Sequence, residues 1–281
     1  MTATADGRPQ ATAEPSPARM TVAEHIAVVR DAGGRLAEAA RADLNAPVTG
    51  CPGWTVRDLV RHLGEIHLWA AANVAGRPGA ALEPEDRADL CQSWPDLAVF
   101  WTDDDDLVDW YLRTNRNLVT VLDAAPTDVA AATFLPAPSP LAMWARRQAH
   151  ETSIHRYDAQ HATSAFTGFD PVFAADGVDE LLYAFYESGS RTKGRRLAVS
   201  KDHLIQVHAI DTNDRWFMTV GPRAIAAARG GGHADLTISG TAADLYVSLW
   251  NRGDDSAIST TGDTRLLALW HEHTGVRWKF D

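Results

Sequence analysis

Apolar residues recur at helical spacing in four segments of the chain before residue 165. The first segment spans about residues 21–43, and Thr21 and Glu24 at its start have the spacing of a capping box. The others cover residues 56–75, 106–124 and 141–161. Four successive amphipathic helices predict a four-helix bundle. A short helix near residues 87–91 is expected in the connection between the second and third segments.

The pattern of apolar positions changes towards the C-terminus. Short apolar runs predict strands at residues 204–210, 216–220 and 236–239. Helical spacing returns at residues 242–250 and 264–273, and a further helical stretch covers residues 171–190. Ser, Gly, Arg and Lys cluster at residues 188–196, which is typical of a linker. We therefore predict an α+β chain with three parts, namely a disordered tail (1–19), a helical bundle (20–190) and a smaller α+β domain (191–281).

Composition and charge exclude some classes of partner. The net charge is −11, from 26 basic and 37 acidic residues, which argues against nucleic acid because its phosphates require concentrated Lys and Arg. No apolar run reaches the roughly 18 residues that a membrane span needs. The first 19 residues lack the apolar core of a signal peptide. We expect a soluble cytoplasmic monomer or homodimer that acts on a small molecule.

Two cysteines, Cys51 and Cys91, are too few for a disulfide framework. Reduced thiols in a reducing compartment are the simpler interpretation. Cys51 precedes Pro52 and Gly53 and so lies on a turn. A structural role and a role as a nucleophile both stay open for it, since its spacing fixes no basic partner.

A candidate metal site emerges from Glu151 and His155, which are four residues apart on the fourth predicted helix. Four residues turn a helix by about 400°, so both side chains share one face. Zinc accepts both oxygen and nitrogen ligands and needs at least one more. His62, in the middle of the second predicted helix, can supply it. The alternatives are an exposed Glu–His pair and a core histidine that finds another partner.

Three protein ligands leave a coordination position open, and an open position is typical of catalytic zinc. Asp58 lies four residues before His62 on the same helical face. It can orient the imidazole of His62 or stabilise the N-terminus of its helix, and the sequence leaves both roles open.

Two motifs resemble those of the mycothiol-dependent maleylpyruvate isomerase family, a branch of the DinB-like helical bundles. The first is Cys-Pro-Gly-Trp-Thr-Val-Arg-Asp-Leu-Val-Arg-His-Leu-Gly at residues 51–64, and the second covers residues 146–159 with Glu151 and His155. Residues 240–252 and the Gly-Asp pair at 262–263 resemble the family's smaller C-terminal domain, which is similar in shape to sterol carrier proteins. The family often has Gly-Arg where this chain has Asn251-Arg252, so the local turn is expected to differ.

The resemblance implies a zinc ion bound by His62, Glu151 and His155, with mycothiol as a thiol cosubstrate. The implied reaction is either cis–trans isomerisation of a maleylpyruvate-like unsaturated acid or transfer of the thiol to an electrophile. Arg252 is the candidate for a catalytic and thiol-binding residue, because a guanidinium holds a carboxylate through two parallel bonds. Arg147 and Arg156 flank the second motif and are either substrate clamps or surface residues.

Other functions remain compatible with these residues. A metal-dependent hydrolase would use zinc-activated water, with Glu65 as the best available base. A carrier would hold an apolar ligand in the C-terminal domain. A regulatory bundle without catalysis is disfavoured by the presence of all three ligand residues.

Overall fold

The computed structural model describes residues 20–76, 104–187, 199–222 and 225–274. Its contacts divide the chain into two compact units. The helical unit contains Met20–Asp170 together with the three-residue segment Asn251–Gly253. The other unit contains Pro171–Trp250 and Asp254–Gly275. The boundary therefore falls near residue 170 rather than near 190, because the helical stretch that follows residue 170 packs with the sheet.

Four helices of the helical unit correspond to the four predicted segments. They are α1 (Val22–Ala42), α2 (Val56–Val74), α3 (Asp104–Ala124) and α4 (Pro140–Thr163). The predicted capping box is present, since Glu24 accepts a bond from the Thr21 N–H and Thr21 accepts one from the Glu24 N–H. Ser139 caps α4 by accepting a bond from the Ala142 N–H, ahead of Pro140. The short helix expected near residues 87–91 lies outside the described residues.

Helix α4 is buried along most of its length although many of its residues are polar. Every residue from 147 to 160 is buried. Polar side chains are seldom buried without partners, because desolvation costs free energy that only hydrogen bonds or metal coordination recover. A buried polar helix of this kind indicates a site rather than ordinary core packing.

A deeply buried histidine on α2, His67, gives the helical unit a predicted sensitivity to acid. Its Nε2 lies 3.0 Å from the Thr152 hydroxyl and its ring stacks on Tyr111. Burial lowers the pKa of His67 to about 3. In the unfolded chain this histidine binds a proton below about pH 6.5, whereas in the folded chain it stays neutral down to about pH 3. The free energy of unfolding therefore falls as the pH falls from about 6.5 towards 3.

We expect this effect to remove about 1.6 kcal/mol of unfolding free energy between pH 6.5 and pH 5. The matched variant His67→Gln keeps a polar partner for Thr152 but does not titrate. Urea unfolding at both pH values should show a weaker pH dependence in the variant. An equal change in the free energy of unfolding between the two pH values in both proteins would contradict the role given to His67.

The second unit is built on a five-stranded sheet of order β3-β2-β1-β4-β5. Its strands are β1 (His203–Ala209), β2 (Asp214–Val220), β3 (Ile225–Arg229), β4 (Leu236–Gly240) and β5 (Ser259–Gly262). β1 and β4 are parallel, and the other neighbouring pairs are antiparallel. Alternate residues of the inner strands are buried, as a half-covered sheet requires. Its helices are α5 (Pro171–Asp179), α6 (Ala242–Leu249) and α7 (Arg265–His273).

The three predicted strands are present, and the α+β class is confirmed. The edge strands β3 and β5 escaped prediction because one is alanine-rich and the other consists of Ser, Thr and Gly. Such residues have low or mixed strand propensity, and pairing with a neighbouring strand decides their conformation. The chain also continues from α5 into a π-helix at Glu180–Glu187, which the helical spacing did not distinguish.

A buried carboxylate, Asp179, ties α5 to the sheet. It accepts two bonds from Arg229, at 2.8 and 2.7 Å, and one from the Trp216 indole at 3.1 Å. This arrangement satisfies the desolvated charge within its own unit.

Among the described residues, no helix is both long and apolar enough to span a bilayer.

Candidate metal centre

The three predicted ligand residues converge in the helical unit. The Glu151 Oε1 atom lies 3.4 Å from the His62 Nε2 atom and 3.4 Å from the His155 Nε2 atom. One ligand atom from each residue lies within 4.8 Å of the others. Between 4% and 8% of each side chain is exposed. α2 carries one of these three side chains and α4 carries the other two on one face, as their spacing predicts.

These distances fit a shared cation better than direct hydrogen bonds. A hydrogen bond between nitrogen and oxygen usually measures about 2.7–3.2 Å. Zinc bonds of about 2.0–2.1 Å at tetrahedral angles place neighbouring ligand atoms about 3.3–3.4 Å apart. Two imidazole nitrogens and one carboxylate oxygen are also an ordinary donor set for zinc. The residues present therefore fit a zinc ion and leave a coordination position for another ligand.

The second oxygen of Glu151 is held by an arginine one helical turn earlier. Arg147 Nη2 donates to the Glu151 Oε2 atom at 3.0 Å, and 1% of the Arg147 side chain is exposed. Burial by itself raises the pKa of Glu151, but the adjacent imidazoles of His155 and His62 and the charge of Arg147 lower it by more. The pKa lies well below its usual value, so this carboxylate is ionised and ready to bind a cation.

His155 has a buried carboxylate behind it. Its Nδ1 atom lies 3.0 Å from the Asp158 Oδ2 atom. Burial lowers the pKa of His155, but its bonds to Asp158, Cys51 and Glu151 together raise it well above the ordinary value. An ionised carboxylate only accepts hydrogen bonds, so Nδ1 carries a proton towards Asp158, and Nε2 is the ring nitrogen that faces Glu151.

The same carboxylate receives Arg252. The Arg252 Nε–H donates to the Asp158 Oδ1 atom at 2.7 Å, and Arg252 Nη2 lies 3.5 Å from the Cys51 sulfur. The sulfur in turn lies 3.6 Å from the Asp158 Oδ2 atom. Burial raises the pKa of Asp158, but the charge of Arg252 and the bond from His155 lower it below its usual value. Arg252 thus lies next to the ligand cluster, linked to it through Asp158.

An indole ring lies beside the two imidazoles. The ring centroid of Trp54 lies 5.0 Å from that of His62, edge on, and 6.5 Å from that of His155, nearly parallel. Trp54 belongs to the first sequence motif, so the turn before α2 contributes both this ring and Cys51 to the surroundings of the ligands.

The structure separates several alternatives that the sequence left open. Asp58 accepts bonds from the N–H and hydroxyl of Thr55, at 2.8 and 2.7 Å, so it caps α2. Arg156 donates to Thr167 and to the Gly168 carbonyl.

Neither the contact of Asp158 with His155 nor that of Arg147 with Glu151 was predicted from the sequence. A signal was present in both cases. Asp158 follows His155 by three residues and Arg147 precedes Glu151 by four, so each pair shares a helical face. Helical spacing does not show which of several polar residues on a face turn towards a ligand.

Comparisons with known proteins match both units of the chain to one family. The model described as the mycothiol maleylpyruvate isomerase N-terminal domain matches residues 26–160. The model of the C-terminal domain of the same family matches residues 173–269. The two matches leave the boundary between residues 160 and 173, in agreement with the division seen in the structure. No curated protein matches the sequence.

Solved structures support the same fold. A crystal structure of a mycothiol-dependent maleylpyruvate isomerase aligns with a TM-score of 0.58 at 14% identity, over 86% of this chain and 93% of that chain. A histidine-to-alanine mutant of that enzyme gives the same values. An inverting sec-alkylsulfatase from Pseudomonas sp. aligns with a TM-score of 0.30 at 13% identity, over 95% of this chain and 34% of that chain, which is too low to carry an argument.

Proposed function

Because this chain belongs to the mycothiol-dependent maleylpyruvate isomerase family, we propose that it is a zinc-dependent enzyme that uses mycothiol as a nucleophilic cosubstrate. Its reaction is the cis–trans isomerisation of a maleylpyruvate-like unsaturated acid. The alternative reaction at the same site is transfer of the thiol to an electrophile. The observation that carries the proposal is the convergence of His62, Glu151 and His155 at zinc-like spacing.

When bound, zinc lowers the pKa of a thiol that enters the open position, so that the thiolate is available near neutral pH. The protein side chains prepare this position. Arg147 holds one oxygen of Glu151 and leaves the other, Oε1, turned towards both imidazoles. The rings of His62 and His155 lie against Trp54, which limits access of water to that side.

The proposed reaction balances without any oxidant or reductant. The thiolate sulfur adds to one carbon of a double bond that is conjugated with a carbonyl, and the π electrons move onto the carbonyl oxygen as an enolate. The former double bond is now single and rotates. Re-formation of the carbonyl expels the thiolate and gives the trans alkene. With a saturated electrophile, the thiolate would instead displace the leaving group, which departs with its bonding electrons. The product would be a stable thioether, as a transferase makes.

Arg252 is the proposed anchor for a carboxylate of the substrate or of the thiol. It is a permanent cation that lies beside the ligand cluster with 14% of its side chain exposed. Its bond to Asp158 fixes the direction of the guanidinium. An anchor of this kind orients the acid relative to the thiolate. Holding two reactants in the correct orientation provides much of the rate enhancement of a two-substrate reaction.

We expect turnover of a cis-enoic diacid to require both zinc and a low-molecular-weight thiol. The test compares initial rates with and without mycothiol, and separates the products by chromatography. An isomerised acid identifies an isomerase, whereas a stable thioether identifies a transferase. The matched control is the zinc-loaded protein with an alcohol analogue of the thiol, which cannot supply a soft nucleophile.

Full turnover without any thiol would overturn both versions of the proposal. It would favour the hydrolase, in which zinc activates water. Retention of a lipid in native mass spectra, without turnover of any acid, would favour an apolar-ligand carrier.

A further inference from the structure

One buried carboxylate accepts hydrogen bonds from two different residues of the candidate site. The Oδ2 atom of Asp158 accepts a hydrogen bond from the Nδ1–H of His155 at 3.0 Å. Its Oδ1 atom accepts one from the Nε–H of Arg252 at 2.7 Å. Only 1% of the Asp158 side chain is exposed. Each oxygen therefore has a specific partner inside the protein, and the Cys51 sulfur lies 3.6 Å from Oδ2 as a further contact.

The backbone of the turn before α2 fits tightly against this pair. A Cβ atom added at Gly50 would lie 2.4 Å from the Asp158 Oδ1 atom and 2.5 Å from Cδ of Arg252. Such distances are far below van der Waals contact, so only glycine lets the carboxylate and the guanidinium meet here. Close packing on this side fixes the position of both groups.

The geometry points to Asp158 as a positioning residue that holds the metal ligand His155 and the anion anchor Arg252 in one fixed relation. This inference rests on the proposed zinc site and adds a residue to it. A carboxylate behind a metal-binding imidazole fixes its tautomer and ring orientation and increases its basicity as a ligand. Here the same carboxylate also sets the distance between the anchor and the reacting thiolate.

The side chain at position 158 needs two acceptor oxygens to fill this role. Asparagine has the shape of aspartate but only one acceptor oxygen, and its amide group donates. His155 and Arg252 both present N–H donors to this side chain. The Asp158→Asn variant can therefore satisfy one of the two partners and must turn a donor towards the other.

We expect Asp158→Asn to weaken zinc binding by about 10- to 100-fold, because the imidazole loses its acceptor whenever Arg252 takes the single oxygen. Zinc affinity of the full-length protein is measured by competition with a chromogenic chelator. Replacing Arg252 by methionine in the same chain removes the competing donor. The double variant Asp158→Asn/Arg252→Met should then recover most of the lost affinity, although it lacks the anchor.

The matched control is Asp179→Asn in the sheet-containing unit. Asp179 is also a buried aspartate that accepts bonds from an arginine and from one further side chain. We expect its replacement to lower the thermal unfolding midpoint but to leave zinc affinity unchanged. A general loss of structure in Asp158→Asn would lower stability in the same way and would not be reversed by Arg252→Met.

Two results would overturn the inference: zinc affinity of Asp158→Asn equal to that of the wild type, or no recovery in the double variant. Both results presuppose that the wild type binds zinc. Failure of the wild type to bind zinc would instead overturn the proposed function, so the two failures are distinguishable.

Discussion

Replacing His155 by alanine is expected to abolish tight zinc binding and to lower thiol-dependent turnover by at least about 10³-fold. The variant leaves His62 and Glu151, and two ligands hold zinc poorly. A bound metal contributes several kcal/mol of charge stabilisation to such a reaction, and each 1.36 kcal/mol corresponds to a factor of ten in rate. Zinc content after gel filtration and initial rates at saturating mycothiol check both effects.

His161→Ala is the matched control for this prediction. His161 lies on the same helix, but it is exposed, stacks on Tyr157 and lies 3.1 Å from the Tyr157 carbonyl oxygen. We expect its replacement to change neither zinc content nor rate by more than about twofold, as is usual for a surface change outside a site. Full zinc occupancy and normal turnover in His155→Ala would rule out the proposed centre.

The second large effect concerns stability and arises where α2 meets α3. Gly64 faces Trp110, a fully buried side chain, and a Cβ atom at position 64 would lie 2.1 Å from Cζ3 and 2.3 Å from Cη2 of the indole. The rigid ring cannot bend away as a flexible side chain does. We expect Gly64→Ala to lower the free energy of unfolding by about 3 kcal/mol, at the upper end of typical overpacking costs. Urea unfolding followed by far-UV circular dichroism measures it.

The same substitution at another helical glycine should have the opposite sign. Gly34 lies in α1, and an added Cβ meets no atom within 4 Å. Gly34→Ala should therefore stabilise the protein by about 0.5–1 kcal/mol, because alanine loses less backbone entropy in a helix than glycine.

A second variant tests whether the indole ring causes the loss. Trp110→Phe removes the ring atoms nearest to position 64. In the Gly64→Ala background it should cost less than it does alone, or even restore stability, because the two sites share one contact. Additive effects of the two substitutions, or a neutral Gly64→Ala, would contradict the steric explanation.

The limits of sequence prediction are clearest for residues that contact the ligands. The pairing of Glu151 with His155 follows from helix geometry alone, and the helix of His62 could be recognised from its apolar stripe and its N-terminal cap. Their convergence is observed, while zinc occupancy stays a prediction. By spacing, Asp58 and Asp158 could each accept a bond from a histidine one helical turn away. In the folded protein Asp158 contacts His155, whereas Asp58 caps α2.

The sequence by itself determined the helices of the bundle, the capping box of α1 and the faces that carry the candidate ligands, because these depend on side chains three or four residues apart. Tertiary structure alone decided that Arg252 meets Asp158 across 94 positions of chain. It also decided that the weak strands β3 and β5 complete the sheet, and that residues 171–187 pack with that sheet. These features depend on contacts between distant segments, and their free energies arise only when the folded chain brings those segments together.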